Sequence, residues 1–104
     1  MLIPGQNNQC LVVGGSEDPE CFKCLKKVRL ISVNEAGKCE VIEKKPVNLA
    51  RAKIGLCGGQ LKSELNASFV KNYIFAFGGQ SASHGGTLRA LKTVEQYTPK
   101  ANIW

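Results

Sequence analysis

Two glycine pairs that close short apolar runs constrain this chain more than any other feature. The run CLVV ends in Gly14 and Gly15, and the run YIFAF ends in Gly78 and Gly79. Both runs are β-branched or aromatic, and both stop at residues that tolerate a positive φ, as expected for buried strands that enter tight turns. We therefore expect two similar strands that end in the same kind of turn.

The parts that follow each glycine pair occur in the same order. A polar loop comes first, SEDPE in one copy and QSASHGG in the other. An alternating strand is next, over 28–33 or 91–97, and after a turn a third short strand is predicted over 39–42 or 102–104. The offset is 64 residues from 14 to 78 and again from 33 to 97. Equal offsets indicate an internal repeat, and such glycine-punctuated short strands are typical of propellers.

The second copy resembles the kelch-repeat β-propellers. Its strand ends in a glycine pair (YIFAFGG), a polar loop and a strand ending in Tyr97 follow, and Pro99 and then Trp104 complete the pattern, with the tryptophan seven positions after the tyrosine. The glycine pairs, Tyr97 and Trp104 are therefore expected to be architectural, because the two aromatic rings supply apolar area and their polar atoms need partners.

The segment before the second copy and the first copy itself complete the resemblance. Pro46, Arg51 and Gly55 are similar to the residues that lead into the innermost strand of a kelch blade, whereas the first copy is degenerate, with Val33 where the tyrosine would stand and Glu40 near the tryptophan position.

The resemblance implies an all-β fold made of kelch-type β-propeller blades, roughly two four-stranded antiparallel ones. We expect a degenerate first blade over 9–57 that runs into the inner strand of the next, a polar insertion over 58–72 that forms a long hairpin or loop, and a second blade over 73–104 that is truncated at its end. A propeller needs about 4 to 8 blades. The chain is thus expected to be a fragment of an incomplete propeller, with the remaining blades supplied by a longer chain or by self-association.

The cysteines bear on two questions, the redox state of the compartment and a possible zinc site. An odd number of thiols leaves at least one unpaired, which favours a reducing, cytoplasmic setting. Cys21 and Cys24 have the CxxC spacing of half a zinc site, but no second closely spaced pair follows, so we expect no metal and no other cofactor. A small zinc-stabilised domain remains an alternative. The five cysteines are Cys10, Cys21, Cys24, Cys39 and Cys57.

Charge and hydropathy exclude some classes of function. The chain of 104 residues has 14 Lys plus Arg against 8 Asp plus Glu, but the lysines are scattered, so nucleic-acid binding is not indicated. No apolar run approaches the roughly 18 residues of a membrane span, and the N-terminus lacks the pattern of a secretion signal. With 43% hydrophobic residues the chain is expected to be a folded, soluble protein.

Kelch propellers commonly bind proteins through loops on one face, so the resemblance implies a non-enzymatic interaction module. The corresponding loops here are 16–27, 44–51 and 80–90, and their cationic side chains favour a protein partner with an acidic peptide segment. No catalytic residue is expected, since no Asp or Glu between residues 64 and 95 could orient the loop histidine. A fragment of a kelch-like propeller enzyme, of the oxidase or sugar epimerase type, remains an alternative. The predicted partner contacts are Lys26, Lys27, Arg51, Ser81, Ser83, His84 and Arg89.

Overall fold

A computed structural model describes residues 1–62, 65, 70–82 and 86–104. These residues contain eight strands and no helix, which confirms the predicted all-β class, and accordingly none of them belongs to a helix that could cross a membrane. The strands are β1 (Gln9–Val13), β2 (Val28–Val33), β3 (Cys39–Lys44), β4 (Gly55–Lys62), β5 (Val70–Phe77), β6 (Gln80–Ala82), β7 (Leu88–Ala90) and β8 (Val94–Tyr97).

The first sheet has the antiparallel order β1-β2-β3. A tight turn joins β2 to β3, in which Gly37 has φ +78° and Asn34 Oδ1 accepts a hydrogen bond from the backbone N–H of Lys38. The N-terminal residues add a short fourth edge, because Leu2 forms a bridge with Cys10. The first sheet therefore has the four-stranded outline of a blade.

The second sheet has the antiparallel order β4-β5-β8, and β6 and β7 form a separate hairpin between β5 and β8. Of the predicted insertion over 58–72, residues 58–62 belong to β4 and residues 70–72 to β5, which pair with each other. The predicted strand over 91–97 is shorter, because the backbone at Leu91 and Thr93 bonds the glycine pair at 78–79 instead. Residues 102–104 form no strand, and only a bridge joins Thr98 to Ile103.

The pairing of the two copies differs by two residues. Cys10 lies opposite Ile31 in the first sheet, whereas Ile74 lies opposite Tyr97 in the second. The sequence alignment that places Val33 at the tyrosine position is therefore not the structural one, in which Ile31 occupies it. A shift of two residues keeps every side chain on the same face of the sheet.

The hydrophobic core lies between the two sheets, which pack face to face. Alternate residues of β1, β2 and β5 point into it, as a strand period of two requires, and β8 adds Tyr97. The centre of this interface consists of Leu11, Val13, Val28 and Leu30 from the first sheet and Ile74, Ala76 and Tyr97 from the second, with Ile3 and Val47 at its edges.

Both glycine pairs have positive φ at all four positions, between +63° and +105°. At Gly79 space is limiting as well, because a Cβ atom there would lie 2.5 Å from the carbonyl oxygen of Ala52. Ala52 belongs to the linker between β3 and β4, residues 45–54. On the other side of this linker, the backbone N–H of Gly15 donates a hydrogen bond to Arg51 O (2.9 Å). The two pairs thus hold one stretch of chain between the sheets.

Candidate partner-binding face

Three segments that are distant in sequence meet at one end of the sheets. The backbone N–H of Arg51 donates to Leu25 O (3.2 Å), and Ala52 and Gln80 exchange two backbone hydrogen bonds of 2.9 Å each. The thiol of Cys24 lies 3.4 Å from Gln80 O. We call this surface the loop face: it comprises residues 14–27, 51–54, 78–82 and 86–91.

Arg51 is fully buried beneath the loop face, and this corrects its predicted role as a partner contact. Its guanidinium donates to Gly78 O (3.1 Å), to Thr93 O (3.1 Å) and Oγ1 (2.9 Å), and to Glu95 Oε2 (2.8 Å). Glu95 also accepts hydrogen bonds from the backbone N–H groups of Asn48 and Leu49. A fully buried side chain cannot contact a partner. Arg51 instead joins the linker to Glu95 of β8.

Asp18 organises the first loop of the face. Its carboxylate accepts hydrogen bonds from the Ser16 hydroxyl (2.7 Å) and from the backbone N–H groups of Phe22 (2.9 Å) and Lys23 (2.7 Å). The Ser16 hydroxyl, followed by the backbone donors, holds the pKa of Asp18 below its ordinary value of 3.8. The loop is therefore shaped by a local hydrogen-bond network around one ionised carboxylate.

Lysine and arginine side chains project from this fixed backbone into solvent. Lys26, Lys27 and Arg89, predicted from the sequence, are all exposed. Sequence reasoning did not include Lys53 among the contacts, although it lies two positions after Arg51 on the linker; it is exposed and has φ +53°. Within the described part of the chain the ion pairs are Arg29–Glu43 and Arg51–Glu95, so none of these four cations is neutralised by an internal acid.

Of the predicted contacts Ser81, Ser83 and His84, only Ser81 lies among the described residues. Ser81 is only 8% exposed, so its side chain is not available at the surface as predicted; it lies in β6 of the small hairpin, opposite Arg89. Ser83 and His84 lie outside the described residues.

Tyr97 and Trp104 pack on each other and, with Asn102, hold the start of the linker at Lys45. Their ring centroids are 4.8 Å apart, and the Tyr97 hydroxyl donates to Asn102 Oδ1 (2.7 Å). Lys45 is held at both backbone atoms, since its N–H donates to Asn102 Oδ1 (3.1 Å) and its carbonyl accepts from Trp104 Nε1 (2.8 Å). Burial raises the pKa of Tyr97, which keeps the phenol protonated as a donor.

The CxxC thiols bond to backbone carbonyls. Cys21 is buried and Cys24 is half-buried, and their sulfur atoms lie 3.9 Å from Pro19 O and 3.0 Å from Cys21 O. All five cysteines are free thiols. In residues 1–62, 65, 70–82 and 86–104, no three His, Cys, Asp or Glu side chains form a group able to hold a metal ion.

The chain has a family match in its second half. Residues 62–104 match the Kelch motif, which confirms the resemblance for the segment from the β4–β5 hairpin to Trp104. No curated protein and no solved structure matches the chain.

Proposed function

We propose that this chain, whose residues 62–104 form a kelch motif, is a non-enzymatic protein-interaction module that binds an acidic segment of a partner protein on its loop face. The observation that carries the proposal is the joining of three loops by backbone hydrogen bonds, while their cationic side chains stay exposed and form no ion pair within the described residues. Kelch repeats generally mediate protein–protein interactions, and this geometry supports the loop face as the place where a partner would bind.

The loop face is preorganised at the level of the backbone. Lys26 and Lys27 use their carbonyl groups as acceptors for Val47 N–H (3.1 Å) and Gly14 N–H (2.8 Å), so only their side chains remain free to move. Arg51 supports the face from below through its buried network. A surface whose backbone is already ordered loses less conformational entropy when a partner binds.

The charge of the loop face favours an acidic partner. Complementary charge accelerates encounter and selects against partners of the same sign. Glu17 and Glu20 are exposed on the first loop, but the cations at 23, 26, 27, 53 and 89 outnumber them. We therefore propose an acidic peptide segment as the ligand. The five free thiols support a reducing compartment, and we propose the cytoplasm.

Charge reversal tests this proposal. The variant Lys26→Glu/Lys27→Glu/Arg89→Glu is compared with wild type on an immobilised array of Asp- and Glu-rich, neutral and Lys-rich peptides, with binding measured by interferometry at two salt concentrations. We expect wild type to prefer the acidic peptides and the variant to bind them about tenfold more weakly, since exposed ion pairs contribute roughly 0.5 kcal/mol each.

A matched control separates the loop face from net charge alone. Lys38→Glu/Lys62→Glu/Lys100→Glu changes the net charge by the same amount at exposed residues outside the loop face, and we expect it to retain binding within about twofold. Equal weakening by both variants, or no weakening by either, would contradict the proposal.

A further inference from the structure

The outer face of the second sheet, the side turned away from the first sheet, carries a row of half-buried and exposed aromatic side chains that ends at Lys71, whose ammonium lies over the Tyr73 ring. Tyr73, Phe75 and Phe77 alternate along β5 with the buried residues Ile74 and Ala76, so they lie on this outer face. The rings of Tyr73 and Phe75 stack at 6.5 Å, and Phe77 remains 43% exposed. Val94 of β8, which lies opposite Phe77, is 60% exposed.

The repeat shows what kind of surface this is. Phe77 pairs with Val94 as Val13 pairs with Val28 in the first sheet. In the first sheet, however, Val13 and Val28 are buried, because the second sheet packs on them. The outer face of the second sheet is therefore the repeat equivalent of a face that is already covered by a neighbouring sheet.

The complementary surface is also present and exposed. In the core, Val13 and Val28 pack in the layer that faces Ile74, Ala76 and Tyr97. The repeat equivalents of those last three residues are Cys10, Val12 and Ile31, which lie on the outer face of the first sheet. There Val12 is 42% and Val33 37% exposed. Each chain thus carries one uncovered copy of both surfaces that form its own core.

The sizes of the side chains on the two outer faces compensate each other. Phe75 and Phe77 are larger than their equivalents in the core, Leu11 and Val13. On the opposing surface the change is reversed, since Ile31 occupies the position of Tyr97. An open depression of about 470 Å³ lies beside Ile31 and is lined in part by Cys10 and Val33. Interfaces tolerate exchanges that conserve total volume, and the depression gives the larger aromatic rings a place to insert.

We propose that the outer face of the second sheet binds the outer face of the first sheet of a second copy of this chain, head to tail. Such a heterologous contact closes into a ring when its rotation allows it. Because each copy contributes two blade-like sheets and propellers close with about 4 to 8 blades, the ring contains two to four copies. This association uses the sheet faces and leaves the loop face free.

Light scattering coupled to size exclusion tests the proposal on the 104-residue chain. We expect one discrete species at two, three or four times 11.3 kDa, persisting at concentrations down to about 10 µM. Val12→Asp removes one of the two surfaces and Val94→Asp the other, at residues that are 42% and 60% exposed. We expect each variant alone to be monomeric, with the circular dichroism of the wild type.

Mixing the two variants distinguishes head-to-tail from symmetric association. Each variant retains the surface that the other lacks, so an equimolar mixture forms a one-to-one pair that cannot grow further. The control Phe22→Asp, which replaces a 47% exposed side chain on the loop face, keeps the wild-type assembly. Val12→Arg and Val94→Arg provide the same test if the aspartates unfold the strands.

A wild-type chain that is monomeric at about 100 µM, or that forms only a distribution of unrelated sizes, overturns the proposal. A monomer would assign the outer faces to blades of a different polypeptide. Folded variants that fail to pair in the mixture overturn it as well.

Discussion

The structure predicts that Arg51→Met destabilises the fold strongly, because it breaks a buried ion pair from one side. The substitution removes the four hydrogen bonds that the guanidinium donates, at 2.8–3.1 Å, to the Glu95 carboxylate, the Thr93 hydroxyl and the carbonyl groups of Gly78 and Thr93. Removal of one member of a buried pair costs about 3–5 kcal/mol. Among the residues that the structure describes, Arg51 Nε is buried without an acceptor, so the network is incomplete and we expect about 3 kcal/mol, the lower end of that range.

Urea unfolding monitored by tryptophan fluorescence measures this loss. Trp104 is the single tryptophan of the chain and packs on Tyr97, so its emission reports the state of the sheets. At about 4–8 °C per kcal/mol, the expected decrease in Tm is at least about 12 °C. The matched control is Arg29→Met, which removes the exposed pair with Glu43 (3.4 Å) and should cost less than about 1 kcal/mol. Both variants are measured at about 1 µM, below the range of the proposed assembly, because Arg29 lies opposite Val12 on the outer face of the first sheet.

A small effect of Arg51→Met would refute this reasoning. If the free energy of unfolding falls by no more than it does in the Arg29→Met control, the buried pair and its carbonyl contacts do not hold the linker to β8. The loop face would then need another support.

Two further predictions concern the turns and loops. Gly79→Ala should cost about 1–3 kcal/mol more than Gly37→Ala, because both positions have positive φ but only a Cβ at Gly79 would meet Ala52 O; equal losses in urea unfolding would contradict the steric argument. Because the pKa of Asp18 is lowered in the folded chain, its ionised carboxylate stabilises the folded state above pH 3.8, and this stabilisation is lost as the pH falls through the lower, folded value. The amide NMR signals of residues 22–23 should then shift toward those of Asp18→Asn, and signals that do not change between pH 6 and pH 2 would exclude this role.

Much of the fold could be predicted from the sequence because strand period and turn chemistry are local properties. The apolar runs at 10–13 and 73–77 and the strand at 28–33 lie in β1, β5 and β2 of the structure. The predictions that failed depend on distant contacts. No local signal shows that the backbone of 91–93 bonds the glycine pair at 78–79 rather than continuing β8, or that the pairing of the second copy slips by two residues.

The site was predicted less completely for a similar reason. Exposed lysines in a loop can be identified from their type, but the burial of Arg51 depends on Glu95 and Thr93, which lie more than 40 positions away. An arginine in a linker has the same sequence signal whether it faces a partner or a core carboxylate. Lys53 was omitted for the same reason: it lies beyond the predicted loop 44–51, and the contact that brings this stretch to the loop face is the distant backbone pairing of Ala52 with Gln80.

The two proposals reinforce each other through the linker that ends at Arg51 and Ala52. This stretch is bonded to the glycine pair of each sheet and to two loops of the loop face, so the packing of the sheets and the shape of the loop face depend on the same residues. Rotation about a single axis keeps the loop faces of all copies in the proposed ring at the same end. Two to four identical cationic faces would then be presented side by side, and a partner with repeated acidic segments would bind them at high effective concentration. Val12→Asp should therefore weaken binding to such a repeated peptide while leaving binding to a single acidic segment unchanged.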